Sequence, residues 1–136
     1  MHYDVMKVYK YTKTHSDLSG GTNPTVALHT MAHNNEEVIG AWFDVNTPFN
    51  GTGITQFDIS IGDVNSYPSN QIAAYQSALS AGRLTARGDG TQNIKYNFKI
   101  YDAGDYLYFG VNSNIIMSLL TAGRVDIYIG VIQHIY

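Results

Sequence analysis

Three of the five histidines have a spacing that a metal site could use. His29 and His33 are four residues apart, and His15 lies upstream. Residues i and i+4 of a strand share a face, but His33 follows Met31 into the polar stretch AHNNEE, which we expect to turn. A structural zinc site needs three or four nitrogen or sulfur ligands, and the chain has no cysteine. We therefore predict surface histidines and no metal site.

The acidic residues offer two other kinds of site. Asp44, Asp58 and Asp63 could line a calcium site at the end of a sheet, but no segment resembles the DxDxDG loop of a dedicated calcium binder. Glycoside hydrolysis needs two carboxyl groups at a set separation in a cleft. Glu36 and Glu37 instead stand side by side in a predicted loop. For Asp44, Asp58 and Asp63 we predict solvated, outward-facing carboxylates.

Nucleophilic catalysis lacks its usual sequence signals. The chain contains no GxSxG elbow and no cysteine nucleophile, and its histidines have no recognisable triad context. We therefore predict that the protein is not an enzyme, with no catalytic residue and no cofactor.

An aromatic outer surface is the strongest candidate for an interaction site. It consists of side chains that lie opposite the predicted core positions of their strands: Trp42, Tyr101, Tyr106, Tyr108 and Tyr128. Such a surface can stack on sugar rings, as in a carbohydrate-binding module, or pack one subunit against the next. The sequence leaves both uses open, and subunit packing is the commoner one.

A glycine-rich stretch contains the tripeptide Arg87-Gly88-Asp89, which matches an integrin-recognition motif. A given tripeptide often occurs by chance, and Gly and Asp are ordinary turn residues. We interpret the tripeptide as part of a turn.

Composition narrows the class of partner. Charged residues make up 14% of the chain, with eight Lys and Arg, a net charge of −3 and 11 tyrosines. There is no basic stripe for binding nucleic acid, no apolar run long enough to span a membrane and no secretory signal. Neutral polar and aromatic surfaces lose little side-chain entropy when covered. We expect a protein that is made in a cytoplasm and packs against other proteins.

Apolar residues that recur at every second position predict most of the elements. The clearest strand is 125–132, and the stretches 38–46 and 54–61 predict one hairpin across an Asn-Gly turn. The stretches 94–101 and 106–111 predict a second hairpin. The predicted inward residues are Ile39, Ala41, Phe43, Val45, Phe57, Ile59, Ile61, Ile94, Tyr96, Phe98, Ile100, Leu107, Phe109, Val111, Val125, Ile127, Ile129 and Val131.

Weaker signals complete the layout. Strands are expected at 5–11 and 25–31, and a single short helix at 69–82, capped by Ser69 and ended by Gly82. Residues 1–13 form either an arm that adds a strand to a neighbouring subunit or an edge strand. The whole predicts one all-β domain over 1–136, a jelly-roll-like antiparallel β-sandwich of seven or eight strands.

The order of these parts resembles a known family. A GAWFDV strand precedes NTPFNGTG and ITQFDISIGD, and YLYFGVNSN and TAGRVDIYIGV follow. Over about residues 36–136 this resembles small all-β virion proteins of tailed bacteriophages. The resemblance implies a non-enzymatic structural role in the particle with many symmetric copies, and it supplies no binding residue.

The resulting hypothesis is a bacteriophage virion protein of the capsid auxiliary or decoration type. It would assemble in the host cytoplasm as a homo-oligomer and bind other virion proteins, above all the major capsid protein, but neither nucleic acid nor membrane. The alternatives are a tail or connector component, or a carbohydrate- or receptor-binding domain of a tail fibre.

Overall fold

The computed structural model describes residues 2–85 and 99–136, which form nine β-strands and two short 3-10 turns. The turns are His15–Asp17 and Met117–Leu119. Neither is long or apolar enough to cross a membrane. The strands are β1 (Tyr3–Thr14), β2 (Thr25–Thr30), β3 (Glu36–Gly51), β4 (Phe57–Gly62), β5 (Ala73–Ser77), β6 (Gly82–Thr85), β7 (Ile100–Tyr101), β8 (Tyr106–Ser113) and β9 (Leu120–Ile135).

The strands form two antiparallel sheets. The five-stranded sheet has the order β1-β9-β3-β6, with β7 also paired to β3, and the four-stranded sheet has the order β2-β8-β4-β5. The pairs are nested along the chain: β1 with β9, β2 with β8, β3 with β6, and β4 with β5. One long folded hairpin rolled into two sheets is a jelly roll. The predicted jelly-roll-like antiparallel β-sandwich is confirmed, with nine strands in the described residues where seven or eight were predicted.

The core lies between the sheets and consists of the inward positions of alternating strands. Most of the predicted inward residues in the described ranges are at most 4% exposed: Ala41, Phe43, Val45, Phe57, Ile59, Ile61, Leu107, Phe109, Val111, Val125, Ile127, Ile129 and Val131. The predicted inward residues Ile94, Tyr96 and Phe98 lie outside the described residues, as does the tripeptide at 87–89.

Ile39 is an exception, because β3 is longer than predicted and irregular near its start. Its register against β9 shifts between Val38 and Gly40. A bulge of this kind inserts one residue and reverses the alternation before it. Val38 is therefore buried, whereas Ile39 is 41% exposed. The same strand contains Glu36 and Glu37, so the predicted loop at these residues was wrong.

Both predicted hairpins were wrong, because the two strands of each one do not pair with each other. β3 pairs with β9, β6 and β7, whereas β4 belongs to the other sheet and pairs with β5 and β8. β7 and β8 are likewise in different sheets. Local turn chemistry predicted a return to the neighbouring strand. Each connection instead crosses from one sheet to the other.

The predicted helix at 69–82 was wrong, because the segment contains β5 and the start of β6. Ile61 pairs with Ala73, and Ile59 pairs with Gln76. Helix propensity is a weak preference that tertiary pairing overrides. Here β5 supplies hydrogen-bond partners to the edge of β4, and Ile72 and Ala78 enter the core.

The N-terminal segment is the edge strand of the five-stranded sheet. β1 runs along β9 from the Tyr3–Ile135 pair to the Thr14–Arg124 pair. The alternative role of residues 1–13, an arm that adds a strand to a neighbouring subunit, stays a prediction.

Candidate interaction surface

Four of the five predicted surface aromatics lie on the outer faces of the sandwich, in two separate pairs. Trp42 of β3 is opposite Tyr128 of β9 in the register. Their rings stack with centroids 5.0 Å apart and an interplanar angle of 7°. Tyr106 and Tyr108 of β8 lie on the four-stranded sheet, with centroids 6.2 Å apart. The structure therefore places two aromatic pairs on opposite faces.

Tyr101 does not belong to either surface. Its side chain is 2% exposed, while Ile100, predicted to face inward, is 48% exposed. The short strand β7 pairs Tyr101 with the buried Glu36 and so reverses the predicted phase. The Tyr101 hydroxyl donates to Asp63 Oδ2 at 2.9 Å. Burial, together with this contact, raises the pKa of Tyr101.

The chain itself covers part of the outer face of the four-stranded sheet. The connection from β4 to β5 crosses that face, and Ser60 Oγ donates to the carbonyl oxygen of Ser69 at 2.5 Å. The backbone N–H of Ser69 donates to the Tyr75 hydroxyl at 3.1 Å. A Cβ atom built on Gly110 would lie 2.4 Å from Ser60 Oγ. This face is therefore not free for a partner near Gly110.

The outer face of the five-stranded sheet carries exposed apolar side chains. In the described part of the chain, Met6 is 66% exposed, Val8 is 57% exposed and Ile39 is 41% exposed. Met6 is paired with Ile132 and Val8 with Gly130, and the Trp42–Tyr128 pair is the next outward pair along β3 and β9. We call this set of residues the outer patch: Met6, Val8, Ile39, Gly40, Trp42, Tyr128, Gly130 and Ile132.

Two paired glycines lie in the middle of the outer patch and add no side chain to it. Gly40 and Gly130 are paired between β3 and β9, and Val8 of β1 is paired with Gly130. A Cβ atom on Gly40 would meet nothing within 4 Å, whereas one on Gly130 would lie 3.6 Å from Cγ1 of Ile39. Exposed apolar strips of this kind, set among polar residues, mark sites of interaction with other proteins.

The charged groups on this face are paired with one another. Asp126 accepts from the Thr12 hydroxyl at 2.7 Å and lies 3.8 Å from Lys10 Nζ and 3.9 Å from an Arg124 nitrogen. The Thr12 hydrogen bond, with help from the two cations, lowers the pKa of Asp126. Because these charges already have partners, a protein that covers the patch does not leave them unpaired.

The predicted acidic residues do not form a common site. Asp44 receives a hydrogen bond from Arg83 Nε at 2.9 Å, and Asp58 receives one from Gln56 at 2.9 Å. Asp63 instead accepts from Lys99 at 3.1 Å and is largely buried, contrary to the predicted solvated position.

The three predicted histidines are also apart. His15 begins a 3-10 turn, and His33 is exposed. His29 was predicted at the surface but is only 5% exposed, because its ring packs on Tyr9 at a centroid distance of 4.5 Å. Its Nδ1 is hydrogen-bonded to the Tyr11 hydroxyl. Burial lowers the pKa of His29, opposed in part by the charge of Glu36.

Sequence reasoning missed the cluster of His2, Asp4, Glu37 and His134. Asp4 and His134 are 130 positions apart in the chain and become direct neighbours only when β1 pairs with β9. His134 Nε2 lies 3.2 Å from Glu37 Oε1 and His134 Nδ1 lies 2.9 Å from Asp4 Oδ1, both within hydrogen-bond distance. The contact with Glu37, followed by the contact with Asp4, raises the pKa of His134. Spacing along the sequence contains no signal for this cluster.

The class that this architecture defines is the jelly-roll β-sandwich, and solved structures of the same fold come from phage capsids. A chain of the acidic stable capsid structure of Helicobacter pylori bacteriophage KHP30 has a TM-score of 0.52 and 12% identity, and the match covers 100% of this chain and 99% of that one. A chain of the capsid of Ralstonia phage GP4 has a TM-score of 0.58 and 14% identity, with 95% and 84% covered. No protein-family model and no curated protein sequence matches the chain. At these identities the similarity shows a shared fold, which agrees with the one that the sequence resemblance implied.

Proposed function

We propose that the protein is a structural component of a bacteriophage particle, of the capsid auxiliary or decoration type. In this role it is assembled in the host cytoplasm, binds the major capsid protein and forms homo-oligomers, without catalysing a reaction. The observation that carries the proposal is the outer patch: an exposed apolar strip on a jelly roll whose fold, over nearly the whole chain, is that of chains in two phage capsids.

The chemistry of the outer patch favours a protein partner. Covering an exposed Met, Val or Ile side chain stabilises a contact by about 1 kcal/mol or more, depending on the area removed from water. Met6 and Val8 on β1 and Ile39 on β3 flank the paired glycines Gly40 and Gly130. The neighbouring charges are already paired within the chain. The patch can therefore be desolvated at little electrostatic cost.

A sugar-binding role is less well supported by the same residues. A platform for sugar stacking needs an aromatic ring face that is open to solvent. Trp42 and Tyr128 stack on each other with nearly parallel rings, so one face of each ring is covered by the other ring. Lys10 Nζ lies 5.8 Å from the centroid of the Tyr128 ring. This arrangement suits a rigid packing surface better than an open platform.

A pair of matched substitutions tests the proposal. Val8→Glu places a charge in the outer patch, and Val64→Glu makes the same change at an exposed valine of the β4–β5 connection, outside the patch. Purified variants are mixed with empty capsids of the phage that carries the gene and are sedimented. We expect wild type and Val64→Glu to bind saturably at a fixed copy ratio. Val8→Glu should bind at least about tenfold more weakly, which corresponds to about 1.4 kcal/mol.

Other outcomes would contradict the proposal. If the two variants bind equally well, the outer patch is not part of the interface with the capsid. A wild-type protein that does not bind capsids but binds tails or a glycan array would favour a tail component or a receptor-binding domain. Thermal unfolding of each variant serves as the check that both are folded.

A further inference from the structure

Three side chains from three strands and the side chain of His2 meet at one end of the outer face of the five-stranded sheet. Asp4 belongs to β1, His134 to β9 and Glu37 to β3, while His2 directly precedes β1. His2 Nε2 and His134 Nδ1 both lie 2.9 Å from the same oxygen, Asp4 Oδ1. The ring of His2 also stacks on Tyr136 at a centroid distance of 4.7 Å. We call these four residues the histidine–carboxylate cluster.

The cluster has too few protons to satisfy its own contacts when His134 is neutral. A neutral imidazole has one N–H donor and one lone pair. His134, however, faces a carboxylate oxygen at each ring nitrogen, Asp4 at 2.9 Å and Glu37 at 3.2 Å. If Nε2 keeps its proton for Glu37, the Nδ1 lone pair points at the lone pairs of Asp4. The space between His134 Nδ1 and Asp4 Oδ1 therefore suits a cation, either a second proton or a metal ion.

The same arrangement has the parts of a metal site. One nitrogen from each histidine and one oxygen of Asp4 lie within 4.8 Å of one another. In a tetrahedral zinc site, with bonds of about 2.0–2.1 Å, ligand atoms are roughly 3.3 Å apart. The two 2.9 Å contacts need only small movements to reach that spacing.

Glu37 supplies an independent observation that points the same way. Histidine ligands commonly donate the N–H that does not face the metal to a carboxylate, which fixes the tautomer and the ring orientation. Glu37 Oε1 is in that position relative to His134 Nε2. With the Nε2 proton held by Glu37, the Nδ1 lone pair points toward His2 and Asp4. A set of two imidazoles and one carboxylate suits Zn²⁺ or a similar transition metal better than Ca²⁺ or Mg²⁺, which prefer oxygen ligands.

We propose that His2, Asp4 and His134 bind one divalent transition-metal ion, with Zn²⁺ as the best fit, and that Glu37 orients His134. The fourth position is open to water or to a ligand from a partner. Because the ligands come from β1 and β9, the ion connects the edge strand to the rest of the sheet.

Isothermal titration of the folded full chain with zinc chloride at pH 7.5, in a non-chelating buffer, tests the site. Wild type should bind one ion per chain, and magnesium chloride should give no binding. Substituting His134→Ala or Asp4→Asn should weaken zinc binding at least about tenfold. Glu37→Gln should weaken it about 10- to 100-fold, since it removes the group that orients the ligand. His15→Ala is the matched control and should bind as wild type does.

A second measurement separates loss of metal from loss of fold. Zinc should raise the unfolding temperature of wild type and of His15→Ala, because an ion that binds only the folded chain stabilises it. Asp4→Asn should stay folded without this rise. The proposal is overturned if wild type binds no zinc at up to about a hundred micromolar, a low affinity on the scale of specific sites. It is also overturned if His134→Ala and Asp4→Asn both retain wild-type affinity.

Discussion

At the scale of single residues, Gly123 shows how tightly the core restricts the chain. It lies in β9 with φ +146°, a backbone conformation that side chains other than glycine rarely adopt. A Cβ atom there would lie 2.2 Å from Cδ1 of Phe49. Phe49 has no room to move away, because it is 1% exposed and its ring stacks on Phe57 at 4.4 Å. Glycine is therefore required at this position for two separate reasons.

The substitution Gly123→Ala should destabilise the protein by about 2–4 kcal/mol, since it combines a strained backbone with overpacking. Gly40→Ala is the matched control, because its Cβ would meet nothing within 4 Å and its φ is not in the positive range. We expect a change of about 0.5 kcal/mol or less there. Urea denaturation of the two variants gives the comparison, and equal losses would refute this account of Gly123.

At the scale of elements, His29 connects the two sheets where β1 and β2 approach each other. His29 belongs to β2 of the four-stranded sheet, and its ring contacts Tyr9 and Tyr11 of β1 in the other sheet. His29 Nε2 has no hydrogen-bond partner in the described part of the chain. A proton added to this ring would place a charge inside an aromatic contact, and Glu36 compensates for only part of that cost.

The burial of His29 between the sheets predicts how the free energy of unfolding changes with pH. The folded pKa of His29 lies below its unfolded value of about 6.5, so both states are neutral at high pH and the unfolded chain takes up the proton first on acidification. Stability that is present above pH 6.5 should therefore be lost as the pH falls toward the folded pKa. His29→Gln should lose less stability than wild type between pH 7.5 and 5.5 in urea denaturation, whereas His15→Gln should follow wild type. Parallel curves for wild type and His29→Gln would contradict the prediction.

At the scale of the whole molecule, the nested strand pairs bring together residues that are distant in sequence. Tyr3 pairs with Ile135, and Thr25 pairs with Gly110. Each of these contacts closes a long loop before it contributes stability, which makes all-β folds of this kind slow to form. The innermost pair, β4 with β5, is the most local one and closes the shortest loop.

We therefore expect refolding in milliseconds to seconds rather than microseconds. Trp42 is the one tryptophan of the chain, and its stacking on Tyr128 makes its fluorescence report the pairing of β3 with β9. Stopped-flow refolding followed by fluorescence and by circular dichroism should give the same rate if the sheets form together. Complete recovery of the fluorescence within a millisecond would contradict the expectation.

The sequence alone determined the inward faces of the central strands and, with them, the fold class. Positions such as Phe43, Ile127 and Phe109 were predictable because alternation along a strand is a local property that burial of one face enforces. The outward positions of Trp42 and Tyr128 followed from the same alternation, although their contact with each other did not. The absence of cysteine and the low fraction of charged residues, on which the predicted packing against other proteins rests, are properties of the composition alone.

Only the tertiary structure decided which strands are partners and which side chains meet. Alternation does not say which strand lies beside β3, so both predicted hairpins failed, and the bulge at Ile39 and the reversed phase of Tyr101 had no local signal. The strand β5 replaced a predicted helix because an edge of β4 was available to it. His134 meets Asp4 and Glu37 for the same reason: pairing between distant strands is a property of the folded sheet, and spacing along the chain does not encode it.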